Sequence, residues 1–204
     1  MLFICFSFKR KAKILAPPHF PDFMKVETPR RPTISADEYT EGLESRTCHQ
    51  VCSAYNSSWI EKATVKWTGD NSSCDVGTYS SMALNDAMNR INYIRWLGGL
   101  SEKSLNISDE KTLGCQKCAT ILDVNNIVNG SPGSQYKCWS SDGQAHCRVS
   151  LVSLSNDAAT AVAVYFADTG SSTLGNRRWL MYPPLTTVGI GQRRRGNAIQ
   201  VIAS

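Results

Sequence analysis

The chain has 204 residues, 42% of them hydrophobic, enough for one core of ordinary size and too few for two comfortable domains. Lys and Arg total 22 against 17 Asp and Glu, a net charge of +5 whose excess gathers at residues 9–13, 30–31 and 193–195. No basic helix with interleaved aromatics accompanies these clusters, and no apolar run reaches the ~18 residues of a membrane span, so nucleic-acid binding and a transmembrane segment are both argued against.

The chain opens on MLFICFSF, an apolar run with no basic residue before it that passes directly into KRKAKIL. That makes it a poor signal peptide and too short to cross a bilayer. Pro17, Pro18, Pro21, Pro29 and Pro32 follow among charged residues. The sequence therefore predicts an extended, disordered arm over residues 1–47 and a single folded domain over 48–204.

Three amphipathic helices are predicted inside that domain. In SMALNDAMNRINYIRWLGGL, Leu84, Ala87, Met88, Ile91, Ile94 and Leu97 form one stripe, Asn85, Asp86, Asn89 and Asn92 face the other way, and Gly98-Gly99 supplies a stop. In SDEKTLGCQKCATILDVNN, Ser108 is an N-cap followed by acidic residues. Its spacing turns Cys115, Cys118, Ala119 and Leu122 toward the core and Gln116, Lys117, Thr120 and Asp123 away from it. The third helix starts from a Ser155 or Asn156 cap, buries Ala158, Ala161, Val162 and Tyr165, and ends at Gly170. Residues 186–192 and 197–204 then read as strands of a hairpin whose RRRG turn faces water. Helices first and strands last give an α+β fold with an antiparallel sheet covered by helices.

Eight cysteines, seven of them Cys48, Cys52, Cys74, Cys115, Cys118, Cys138 and Cys147, exceed ordinary cytosolic usage. N-x-[ST] sequons stand at Asn56, Asn71, Asn106 and Asn129. Both features point to an oxidising, glycosylating compartment outside the cell, with the seven cysteines as disulfide candidates and the four asparagines as glycan acceptors. Cys115-x-x-Cys118 with Cys138 and the His146-Cys147 pair could also be written as a zinc site, but the second half lacks CxxC spacing, which favours a disulfide or a buried thiol. His146 is read in a short loop over residues 142–147 without an acidic or serine partner, so a surface or half-buried histidine is the simpler account. The GxG of GIGQRRRG does not lie between a first strand and a helix and is no dinucleotide fingerprint. Trp179 and Tyr182 could form a ligand platform, although core packing is the commoner use of aromatics. Arg177 and Arg178 could cap helix carbonyls or pair with Asp168.

The order of these elements resembles the CAP superfamily, the SCP/TAPS group of cysteine-rich secretory, antigen 5 and pathogenesis-related proteins. The matching stretches are LNDAMNRINYIRWLGGL from residue 84, CQKCATILDVNN from residue 115, Cys138 in YKCWS, the helix end at Asp168-Thr169-Gly170, and GNRRWLMYPPLTTVGIG over 175–191. The resemblance covers about residues 74–202 and implies a three-layer α-β-α sandwich, secreted and disulfide-stabilised. In that family two histidines and two acidic residues around a central cleft can bind a divalent metal. Asn176, in Gly175-Asn176-Arg177, stands in one histidine's place, and Gly130, two residues before Pro132, stands in the other's. The acidic motif corresponds to residues 148–151, which include Ser150 and no carboxylate. An amide oxygen is a weak metal ligand and glycine offers no side chain. The resemblance thus implies a degenerate cleft at Gly130, Ser150, Asn176 and Arg177, no metal, no cofactor, and a non-enzymatic module binding a protein or lipid ligand. Two alternatives stay open: a hydrolase using Ser150, His146 and Asn176 in the same cleft, and a structural cysteine-rich extracellular protein.

Overall fold

The computed structural model describes residues 46–59, 67–100 and 105–202. The expected arm falls outside the described residues except at its last two positions, and so does the end of the second strand run.

Helix α1 (Cys48–Ser58) was not anticipated by apolar periodicity, and none of its residues is fully buried. It is set by a capping box: the Thr47 side chain accepts from Gln50 N while Gln50 Oε1 accepts from Thr47 N at 2.8 Å. Ala54 and Trp59 lean on the core, and Tyr55 stacks on Trp59 at 5.6 Å. Helix α2 (Ser81–Leu97) buries Ala87, Met88, Ile91 and Ile94 as its stripe requires. Leu84 is only half-buried and Leu97 is exposed, whereas Asp86 on the expected polar face is buried. The reason is a second cover on that side: Arg90, one turn on, donates to the Ala159 carbonyl at 3.1 Å and lies over the Trp59 ring at 4.7 Å.

Helix α3 (Asp109–Asn125) begins at Ser108, whose hydroxyl accepts from Lys111 N, and ends at Asn126 in the left-handed conformation. Cys115, Cys118, Ala119 and Leu122 are buried as expected, but so are Gln116 and Thr120. Those two are not on a solvent face, because Gln116 Nε2 donates to the carbonyls of Gln192 and Val76, and Thr120 Oγ1 accepts from Arg193. Residues 142–147 are no loop. Helix α4 (Ser141–Arg148) is started by Ser140, which accepts from Gly143 N. Helix α5 (Ala158–Ala167) is capped by Asp157, which accepts from Thr160 N at 2.6 Å, one residue after Asn156 and two after Ser155, the expected caps. It stops at Asp168, itself left-handed, two residues before Gly170. A short α6 (Gly175–Leu180) follows.

The fold is α+β. Strands β1 (Asn106–Ile107), β2 (Ser150–Leu154), β3 (Thr187–Gln192) and β4 (Gly196–Gln200) lie in the order β1-β3-β4-β2. The expected β3–β4 hairpin pairs Gly189 with Gln200 and Gln192 with Asn197, and β2 joins β4 antiparallel. Only the edge strand β1 runs parallel to its neighbour, which makes the sheet mixed. In the turn, Arg194 and Arg195 face water but Arg193 is buried, against the expectation for all three.

Helices cover both faces. On one, α2 and α5 pack through Ile91, Ile94, Val162 and Tyr165 onto Leu151, Val188, Ile190 and Ile199. On the other, Cys115, Cys118 and Leu122 of α3 and Cys147 of α4 meet Ala198. This second face is set by glycine. A Cβ on Gly189, Gly191 or Gly196 would fall inside contact distance of backbone atoms of Lys111, Cys115 and Ala119 respectively. Those α3 residues are four apart, one per turn, so the helix backbone lies directly on the strands. The alternation in VGIG is therefore a two-sided strand, aliphatic toward α2 and α5 and bare toward α3.

Candidate functional site

Asn176 lies in the first turn of α6, where the chain returns to the end of α5. Asp168, buried at that end, accepts from Asn176 N at 3.0 Å, from Asn176 Nδ2 at 2.9 Å and from Arg177 N at 3.4 Å. The carboxylate thereby satisfies backbone donors that begin a helix and otherwise lack partners. Arg177 completes the junction from the other direction. Its Nε donates to the Phe166 carbonyl at 2.6 Å and its Nη2 to that of Ala167 at 2.8 Å, while the guanidinium lies 5.1 Å from the Phe166 ring centroid. Of the two roles expected for Arg177, capping of helix carbonyls is the one its side chain performs. Asn176 is thus half of a brace between α5 and α6, with its amide nitrogen already engaged.

Gly130 belongs to a different neighbourhood. It follows Asn129, whose Oδ1 accepts from Ser131 N at 2.8 Å, and a Cβ there would look onto the Cys147 carbonyl of α4 at 4.0 Å. Arg148 holds the loop by donating to Ser131 Oγ at 3.0 Å. Ser150 opens β2 beneath α3 and α4, buried, so the four positions are carried on three separate supports: the 129–131 turn, β2 and α6.

Ser150 and His146 are close in space but not joined as a nucleophile and base. Ser150 Oγ donates to the His146 carbonyl at 2.7 Å and lies 3.6 Å from Cys115 Sγ. The imidazole instead places Nδ1 2.8 Å from Gln200 Oε1 and Nε2 3.5 Å from Asp142 Oδ1. The acidic partner missed in the sequence is Asp142, one helical turn before His146. Lys117 Nζ pairs with the same Asp142 at 2.6 Å and holds its carboxyl below the usual range. The ring rests against Gly114, where a Cβ would collide with it, so this glycine inside α3 makes room for His146. Burial pushes the Cys115 thiol up to about 11, which keeps it protonated and a poor nucleophile at neutral pH.

Two disulfides form, Cys74–Cys138 and Cys118–Cys147, the second fastening α3 to α4. The two cysteines of the CxxC therefore have different fates: Cys118 is bonded and Cys115 is a buried free thiol. Cys48 and Cys52 are free and exposed on α1. Among the described residues, no three His, Cys, Asp or Glu side chains converge as metal ligands. Asn56 and Asn106 are exposed, whereas Asn71 and Asn129 are partly buried and Asn71 Oδ1 accepts from Arg193.

Arg193 is a contact residue that composition concealed. It stacks on Trp67 at 4.1 Å, donates to Thr120 Oγ1 at 2.6 Å and to Asn71, and faces Asp123 across 3.8 Å. Together with Gln116 of α3 on the Val76 carbonyl and the Cys74–Cys138 disulfide, it pins the segment 67–79 to α3, the β3–β4 turn and the loop before α4. Trp179 and Tyr182, 5.6 Å apart and edge to face, pack against the main core.

Compared with known proteins, the chain matches no family model, no curated protein and no solved structure. Among the described residues no helix is long and apolar enough to cross a membrane.

Proposed function

We propose that this chain is an extracellular CAP-like domain whose ancestral metal cleft has been turned into a structural joint, and that it acts by binding a protein or lipid ligand rather than by catalysis. The observation that carries the reading is the Asn176–Asp168 brace: the side chain at the histidine position of the resembled motif is spent on an internal carboxylate. Gly130, at the other position, has no side chain to contribute. Two disulfides fit an oxidising compartment, and the exposed sequon Asn106 takes a glycan in preference to the engaged Asn71. The serine hydrolase alternative draws no support from Ser150, whose proton is directed at a carbonyl rather than at the imidazole.

Zinc titration by calorimetry tests this, run with Cys48→Ser and Cys52→Ser so that exposed thiols do not take the metal. The chain with Asn176 and Gly130 should show no saturable zinc binding. Adding Asn176→His should create at most a weak two-ligand site, because the change releases Asp168 Oδ1 beside the new imidazole. Tight stoichiometric zinc in the chain that keeps Asn176 and Gly130 would contradict the proposal.

A further inference from the structure

We propose that α1 is a covalent dimerisation helix, joining two copies of this chain through paired Cys48–Cys52 disulfides. The argument starts from what each thiol can reach. Cys74, Cys118, Cys138 and Cys147 are consumed in two intrachain bonds. Cys115 is fully buried between α3 and the sheet, beside Ser150, and is out of reach of a surface helix. Cys48 and Cys52 are exposed and lie four residues apart on one face of α1. Helical neighbours at that spacing hold their Cβ atoms about 5–6 Å apart, whereas a disulfide needs about 3.5–4.5 Å, so they do not bond to each other without breaking the helix. Cys5 is the one remaining cysteine of the chain and can satisfy no more than one of them. On the extracellular reading above, on which this step rests, an exposed α1 thiol that these pairings leave over takes a partner outside the chain.

A second copy satisfies both. When two α1 helices pack antiparallel about a two-fold axis near Gln50, Cys48 of each copy faces Cys52 of the other, and one symmetry operation leaves no thiol over. Helices packed about 8–10 Å apart, with Cα atoms about 2.3 Å off each axis, bring facing Cα atoms to about 3.4–5.4 Å, a range that overlaps the span of a disulfide. Charge permits the approach. In a chain of net charge +5, the sequence CHQVCSAYNSS carries no Asp, Glu, Lys or Arg, so two copies meet there without like-charge repulsion. Beside the cysteines, Tyr55 is exposed over nearly half of its surface and extends the contact. Each bond forms by loss of two protons and two electrons from a pair of thiols, the electrons passing to a disulfide oxidant such as oxidised glutathione, which is reduced to two thiols.

The test uses the full chain, prepared with natural and with heavy nitrogen, mixed and oxidised in a glutathione buffer. The expected product is a covalent dimer of twice 22.5 kDa that reductant dissolves. Its unreduced digest should contain Cys48–Cys52 peptides of mixed isotope, which only an interchain bond yields. Cys48→Ser alone should abolish the covalent dimer, since in this register it removes both bonds. Cys48→Ser with Cys52→Ser should give a monomer that still forms Cys74–Cys138 and Cys118–Cys147, showing the fold intact. A monomer carrying glutathione on α1, Cys48–Cys52 links that are never of mixed isotope, or an undiminished dimer in the Cys48→Ser chain would each overturn the proposal.

Discussion

The two faces of the sheet are held by different physics. Toward α2 and α5 the contact is made by side chains: branched aliphatics interdigitate, and each can be replaced at a cost set by the volume lost. Toward α3 and α4 it is made by backbone, through Gly189, Gly191 and Gly196 beneath the helix, Gly114 beneath His146 and Gly143 against Ile121, with a disulfide across the helix pair. On the first face lost volume is the expected weakness, on the second added volume. The residues matched to the cleft are held in a third way, Asn176 and Arg177 by hydrogen bonds at the α5–α6 junction and the Gly130 turn by Arg148 on Ser131.

Adding volume to the glycine face should have the largest effect. Gly191→Val places atoms against the Cys115 backbone, which has no flexible end to move, and the variant should lose its cooperative unfolding transition altogether. Matched at one added carbon, Gly191→Ala should still cost more than Val188→Ile on the aliphatic side, which should stay under about 3 kcal/mol, and equal losses would break the comparison. On the aliphatic face, Ile91→Ala should cost about 2–5 kcal/mol in denaturant unfolding with little change in slope. Removing the clasp by Cys118→Ala with Cys147→Ala should cost about 2–4 kcal/mol, given a separation of 29 residues. Breaking the brace by Asn176→Ala should be milder, about 1–3 kcal/mol, because one hydrogen bond to a buried carboxylate is lost while the backbone donors to Asp168 remain.

A pH effect sharpens the same contrast. Burial raises the Cys115 thiol to about 11 and drives the Tyr165 phenol upward as well. The folded state therefore keeps protons that the unfolded chain releases first, and stability should fall as pH climbs above the ordinary thiol range toward about 11. Replacing Cys115 by alanine should flatten the first part of that fall in unfolding curves taken at stepped pH; an unchanged slope would mean the thiol is not buried as described.

Much of this fold could be read from periodicity, because α2, α3, α5 and the hairpin each carry their signal within a few turns. Helix α4 was hidden by Gly143, which suggests a break until Ile121 and the Lys117 backbone are known to press against it. Helix α1 has too few core contacts to show a stripe, although Thr47 and Gln50 spell its capping box. The burial of Arg193 depends on Trp67 and Asn71, more than a hundred residues earlier, and no local pattern announces it. The candidate site divides the same way. That Asn176 and Gly130 stand at metal positions is only what the resemblance implies, whereas that Asn176 is tied to Asp168, and that His146 has Asp142 beside it, depends on where α5 ends and whether α4 forms.

The most direct test of a clasped, oxidised domain is peptide mapping of the native protein after alkylation without reductant. Cys74–Cys138 and Cys118–Cys147 should be recovered as linked peptides, with Cys115 unlabelled until the chain is unfolded. Recovery of Cys115 linked to Cys118, or labelling of all four bonded cysteines in the native state, would contradict both the fold of the second face and the extracellular reading built on it.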